Sequence, residues 1–444
     1  MELVILFAIV LGIIITTLKF KIHPVFSLTG AAIVAGLAFG LSADQVMVTI
    51  GEGFGKTLSG IGLVIAFGTV IGTFLEKTGG TQVLSKALLR LTGLRRSPLA
   101  VNLAGFVISI PVYCDSGFVI LSSLNEALSR RSGVSRLTFT VALATGLYAA
   151  HVFVPPTPGP LAAAALVEAD LGLVMLYGLP VALGVALSGY LWALIVGKNA
   201  KSSAEDTPLP EVLKDANNSL ATPSGLLVML LPIAVPLGLI ALKSVATYPT
   251  NPLGEGWIIA LLDFLGNPII ALAIGLLLSL SWIRKKATAV VSGWVGEAMK
   301  QAGAIVLITG AGGAFGAVLR TLDFAAMLSL SAGSGGLGLL LAFAIAAVIK
   351  TAQGSSTVAL ITTAAIITPL LASFHLEGAL ERALAVLAIG AGALTVSHIN
   401  DSYFWVVTEF SEMDLKTALR GHTLATLLQG LVGITLILML YWLS

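Results

Sequence analysis

Two polar interruptions decide how this chain folds: VYCDSGFVILSS at 112–123 and KTAQGSSTVALITT at 350–363. Each places Ser, Gly and an acid or amide inside a long apolar run where a membrane helix would otherwise continue. Such backbone is tolerated at bilayer depth only where protein buries it or it lines a cavity. Breaks paired between corresponding halves of a chain point to a binding site near the bilayer midplane.

The rest of the chain has a membrane composition. Of 444 residues, 57% are hydrophobic and 10% charged, with a mean hydropathy of +1.00; soluble domains carry about 25% charge. The 48 glycines suit helices that approach closely in lipid. A net charge of +2 gives no basis for a nucleic-acid partner. Cys114 is the single cysteine, so neither an intrachain disulfide nor a Cys-rich metal site is expected, and no cofactor is implied. The opening MELVILFAIVLGIIITTLKFK lacks a basic leader and a small-residue cleavage site, and reads as a retained first span.

Runs long enough to cross about 30 Å of hydrocarbon lie near 2–18, 24–41, 59–75, 172–197, 224–243, 257–283, 300–319 and 417–443. Four more are long but interrupted: 98–128, 137–165, 338–371 and 383–408. A polar linker at 198–222 separates a first half, 1–197, from a second, 223–444. Basic residues mark the cytoplasmic side. Arg95 and Arg96 precede 98–128, and Arg130, Arg131 and Arg136 follow it. Both flanks are therefore inside, and the run enters and returns as a hairpin with VYCDSGF at its tip. The segment 42–58 falls outside. Arg284, Lys285 and Lys286 place 284–298 inside, so 300–319 runs outward where 59–75 runs inward. Gly68 and Gly72 correspond to Gly312 and Gly316, Ser116 to Ser355, and ADLG (169–172) to MDLK (413–416). The expected fold is an all-α polytopic membrane protein. It has an inverted repeat, two re-entrant helical hairpins (98–128 and 338–371) and two broken transmembrane helices (137–165 and 383–408). The more polar segments 78–93 and 320–335 read as amphipathic interfacial helices.

Four polar clusters carry the chemistry. In the first hairpin, Tyr113, Cys114, Asp115, Ser116 and Gly117 follow the helix-breaking Pro111. A half-helix starting there offers free N–H groups and a positive dipole end to an anion. Gln353, Gly354, Ser355, Ser356 and Thr357 stand in the same role in the second hairpin. In HVFVPPTPGPLAAA (151–164), Pro155, Pro156, Pro158 and Pro160 unwind the span around Thr157 and Gly159 and free backbone carbonyls. In its partner, SHINDSYFWVVTEF (397–410), Asn400, Asp401 and Ser402 suit hydroxyl groups. His151, His398 and Lys350 are further candidates. Asp115, Asp401 and Lys350 are the ionisable residues deepest in apolar sequence, and a charge there is a functional-site hypothesis by default. Burial disfavours a charged carboxylate, which suits Asp115 or Asp401 as a proton carrier. Structural roles compete with these readings: a helix cap for Asp115, an interfacial position for Asp401, snorkelling for Lys350, packing for the histidines, and bonding back onto the helix for the Ser-Ser-Thr run. GEGFGKT (51–57) is no P-loop, since only three residues separate Gly51 from Gly55 and it precedes a membrane span.

DSGFVILS (115–122), HVFVPPTPGP (151–160), AQGSSTVALIT (352–362) and INDSYFWVVTEFS (399–411) resemble the signature segments of the gluconate:proton symporter (GntP) family, nearly end to end. The resemblance implies uptake of a small organic-acid anion with H+ across the bacterial inner membrane. It also implies an elevator-type movement within the lipid bilayer and, with it, a homodimer. Where some gluconate permeases have Tyr-Glu-Val-Gly at the first hairpin, this chain has Cys114-Asp115-Ser116-Gly117. Thr157 stands where they have a second His. Both positions lie in the expected pocket, so glycerate or D-serine rivals gluconate. Sodium coupling, a channel and an intramembrane enzyme compete with proton symport, although neither HExxH nor GxSxG occurs.

Overall fold

The computed structural model describes residues 5, 8–9, 11–13, 15–16, 19–20, 22–80, 97–198, 200, 223–247, 256–284, 286–321, 335–399 and 401–444. Most of the two expected interfacial helices, nearly all of the linker at 198–222, and Asn400 lie outside the described residues. Among the described residues all regular structure is helical.

The helices fall into two series of the same order. The first is α1 (Pro24–Ala38), α2 (Ala43–Lys77), α3 (Ser97–Ile108), α4 (Cys114–Ser132), α5 (Arg136–Phe153), α6 (Pro158–Val167) and α7 (Leu171–Gly197). Next come α8 (Pro223–Thr247) and α9 (Trp257–Leu265). The second series is α10 (Pro268–Ile283), α11 (Thr288–Arg320), α12 (Gly335–Gln353), α13 (Ser356–Ile367), α14 (Ala379–Leu394) and α15 (Ser402–Phe410). It ends in α16 (Leu415–Ala418), a π turn (Leu419–Thr423) and α17 (Leu424–Leu443).

Local chemistry sets matching starts in the two series. Pro24 and Pro268 each open a helix at a position where proline costs no hydrogen bond. The Asp170 carboxylate accepts from the Leu173 N–H at 2.8 Å and caps α7. The Asp414 carboxylate accepts from the Thr417 N–H at 2.9 Å and caps α16. The ADLG and MDLK tracts thus do the same work. Asp414 also accepts from the Thr417 hydroxyl at 2.7 Å, and these bonds hold its exposed carboxyl below the usual carboxylate range.

Among the described residues, six helices are long and apolar enough to cross a membrane, or up to eight if each bent pair is one span. The structure adds detail to three of these runs. Helix α2 begins at Ala43, well before the span expected at 59–75, because a Ser42–Gln45 capping box starts the helix early. The run 257–283 is two helices bent by 68° at Gly266 and Asn267, a junction that starts α10 with its own Asn cap and N-terminal proline. The run 417–443 contains a π turn.

Long helices α2 and α11 pack together, with Gly53 against Ala317 and Gly313. The broken span α5–α6 lies at the centre: 94% of its apolar window is buried within the protein, against 33% for α7. It is flanked by α3, α7 and α13. A span so enclosed can be interrupted without exposing backbone to lipid.

Candidate functional site

Among the described residues, four interruptions lie between packed helices: Ser109–Tyr113 before α4, Val154–Thr157 before α6, Gly354–Ser355 before α13, and Thr395–Ile399 with Asp401 before α15. Proline chemistry explains the second. Pro158 and Pro160 sit within the first turn of α6, where they need no intrahelical N–H partner, so only Val154–Thr157 unwind. Glycine explains the third. Gly354 has φ +82°, a left-handed conformation that a side chain resists. Gly354→Ala should cost about 1–2 kcal/mol, visible as a lower melting temperature in detergent, whereas Gly354→Asn should cost less.

The interruptions converge. Gly72 of α2 lies against the Pro111 carbonyl and Gly68 against that of Pro156. A Cβ at Gly72 would collide with the first break, so this GxxxG pair seats two broken segments against one helix. Its counterparts, Gly312 and Gly316, face α13 at Ile361 and Ala365. Gly159 packs on Leu360 and Thr357, bringing the starts of α6 and α13 together. The rings of Tyr113 and His151 are 5.9 Å apart. Tyr403 lies 5.0 Å from Tyr148 and 6.3 Å from Phe118, which joins the fourth break to α4 and α5.

One ion pair ties the second hairpin to the fourth break. Lys350, 0% exposed, donates to the Asp401 carboxylate and, at 3.0 Å, to the Gly354 carbonyl. Its ammonium stands 5.6 Å from the centre of the Tyr148 ring. Asp401 also accepts from the Ser397 hydroxyl and from the Tyr403 N–H at 3.1 Å, which caps α15. Lys350 therefore does not snorkel, and Asp401 is buried, not interfacial. His398 Nε2 meets the Thr351 carbonyl at 3.0 Å.

Several buried polar atoms near these breaks have no hydrogen-bond partner among the described residues. They are the Tyr113 hydroxyl, Asp115 Oδ1, the Tyr148 hydroxyl, His151 Nδ1 and Gln353 Oε1. Thr69 neighbours Tyr113, and Ser356 neighbours Tyr148, without closing bonds of ordinary geometry. Asp115 lies within electrostatic reach of both Asp401 and Lys350.

Asp115 is not a cap. It sits on the first turn of α4, whose cap residue Tyr113 makes no side-chain bond. Ser116 faces Glu76 of α2, and Gly117 packs on Leu147. The Thr157 hydroxyl donates to the Val154 carbonyl at 2.6 Å, closing its own turn. Ser355 is the cap of α13, accepting from the Val358 N–H at 3.3 Å. Ser402 is exposed at the start of α15 and does not join the buried cluster. The pairing of Ser116 with Ser355 shifts by about a turn: the residue in the position of Ser355 is Tyr113, and that in the position of Asp115 is Thr357. The first break is longer than the second, so a gapless alignment slips between them.

Sequence reasoning missed Tyr148, Ser397 and His422. Tyr148 is one turn before His151 on α5, a usable signal. Ser397 opens the fourth cluster, where the charged and amide residues that follow outweigh a lone hydroxyl. His422 lies inside a long apolar run with no proline to mark the local π turn.

Residues 1–443 match the profile of GntP family permeases. A gluconate permease of Pseudomonas aeruginosa is 33% identical over 438 residues, spanning 97% of this chain and 95% of that one. The Gnt-II system L-idonate transporter of Escherichia coli is 29% identical, spanning 98% of each. Among solved structures, the YdaH transporter of Alcanivorax borkumensis superposes with a TM-score of 0.66 at 16% identity, over 95% of this chain and 99% of that one; the likeness is one of fold. The chain belongs to the GntP permease family, as a multi-pass membrane transporter, in bacteria of the inner membrane, and not an enzyme.

Proposed function

We propose that this permease imports gluconate or a related sugar-acid or hydroxy-acid anion together with a proton, using the meeting point of the four breaks as its binding site. The observation that carries the reading is the cluster of buried, unpartnered polar atoms on Tyr113, Asp115, Tyr148, His151 and Gln353. Each such group costs about 1–3 kcal/mol when left unsatisfied, and a polyhydroxy acid supplies the matching donors and acceptors. The starts of α4 and α6 have no side-chain cap. The free N–H groups at the starts of α4 and α13, with the single one that Gly159 offers between Pro158 and Pro160, suit a carboxylate.

Charge counting supports a proton as the coupling ion. Asp115, Asp401 and Lys350 carry one excess negative charge when all are ionised, and an arriving anion adds another. Protonating Asp115 or Asp401 offsets that cost, so proton and anion favour one another's binding. In this reading the two half-chains act as inverted repeats, the hairpins enter from opposite faces, and the transport domain moves as an elevator within a homodimer.

Reconstituted protein should accumulate radiolabelled gluconate against its gradient when the vesicle interior is made alkaline. A sodium gradient at fixed pH should have no effect. Competition by unlabelled gluconate, glycerate and D-serine ranks the substrates. Accumulation that requires sodium, or downhill flux without proton movement as in a channel, would sink the proposal.

A further inference from the structure

The Lys350–Asp401 pair does not end at the site. Ser397, which donates to Asp401, is also met by His422 Nε2 at 3.1 Å. His422 is 0% exposed and belongs to the π turn Leu419–Thr423. Such turns inside α-helices recur at functional sites. Ser397 is fixed on that helix from both sides: its N–H donates to the Thr426 hydroxyl at 2.9 Å, and its carbonyl accepts from Thr423 at 2.6 Å. Since the only Ser397 hydroxyl hydrogen goes to Asp401, His422 must donate through Nε2. Its Nδ1 is then a bare acceptor, buried and without a partner among the described residues. A line of hydrogen bonds runs from His422 through Ser397, Asp401 and Lys350 to the Gly354 carbonyl of the second hairpin.

We propose that His422 is the residue through which the coupled proton reaches Asp401. This rests on the proton-symport reading above and extends it. A proton arrives at Nδ1. The Nε2 hydrogen passes to Ser397 Oγ as the Ser397 hydroxyl hydrogen passes to an Asp401 oxygen. One proton is gained, one is delivered, and His422 ends neutral. Neutral Asp401 no longer holds Lys350 as an ion pair, and the ammonium becomes available to the substrate carboxylate.

The groups around His422 fit this role. Asp401 and Lys350 act on it electrostatically. The Tyr403 ring of α15 is 5.5 Å away, and its hydroxyl is committed to the Ala144 carbonyl. On α5, Arg136 is held by Glu412 at 3.1 Å; Tyr148 and His151 lie toward the breaks. On α7 the titratable side chains are Tyr177 and Tyr190, and the side chain that meets the π turn is Trp192, which donates to the Gly421 carbonyl at 3.0 Å. Lys416, before the turn, and Arg420, within it, are exposed.

The test uses full-length protein in proteoliposomes with radiolabelled gluconate as probe. His422→Gln keeps a donor toward Ser397 but cannot carry a proton. Its accumulation driven by a pH gradient should fall about tenfold, an ordinary coupling strength between two bound ligands, while counterflow exchange without a gradient persists. Wild-type accumulation in His422→Gln would overturn the inference alone. A wild-type protein that accumulates nothing under a pH gradient would overturn the symport reading and this one with it. If His422→Gln loses exchange as well, Ser397→Ala decides: accumulation lost with exchange kept supports the relay, and both kept overturns it.

Discussion

Lys350→Met is expected to give a protein that melts several degrees lower in detergent and transports nothing. The ammonium is fully buried between the Asp401 carboxylate and the Gly354 carbonyl. Its removal leaves Asp401 as a buried charge with only neutral partners. Breaking such a pair from one side costs about 3–5 kcal/mol, whereas replacing both members by apolar groups is often neutral. The double variant Lys350→Met/Asp401→Leu should therefore recover much of the lost melting temperature without recovering uptake. This split separates a structural from a functional role. If the single variant melts with the wild type, the ion pair does not hold the second hairpin to the fourth break. If the double variant transports, neither residue serves the site.

Asp115→Asn is expected to keep substrate exchange and lose accumulation driven by a pH gradient. The side chain keeps its size and can still bond through its amide, so the first turn of α4 should be undisturbed. What disappears is the ability to gain and lose a proton beside Asp401 and Lys350. A coupling of about 1–3 kcal/mol between two ligands corresponds to roughly a 5–150-fold difference in affinity, so accumulation should drop by about that factor. Uptake by the wild type and by Asp115→Asn, measured with the same imposed gradient, checks this. Equal accumulation would remove Asp115 as a carrier.

Much of this fold was legible because membrane depth punishes polar backbone. The positions of the breaks followed from Pro111, from Pro155 and Pro156, from Gly354 and from the Asn-Asp pair at 400–401. The capping aspartates Asp170 and Asp414 followed from their repeated tract. Hydropathy could not show the early start of α2, because the Ser42–Gln45 capping box acts through two hydrogen bonds and the Gly-rich residues after it are too polar to count with the apolar run at 59–75. The bend at Gly266 and Asn267 was hidden for the opposite reason: the run is apolar on both sides, and one Asn-Pro step redirects it. At the site, charge and rarity marked Asp115, Lys350 and Asp401. Partnership was not legible, since Lys350 and Asp401 are brought together by packing of α12 against α14 and not by sequence spacing. His422 was missed because a histidine in an apolar run gains meaning only when Ser397 is set against it.

Joint movement of an anion and a proton through the meeting point of the four breaks is the central claim. The most direct test records pH outside proteoliposomes as gluconate is added, with no other gradient imposed. Wild-type protein should give a transient external alkalinisation. Substrate uptake without any proton movement would contradict it.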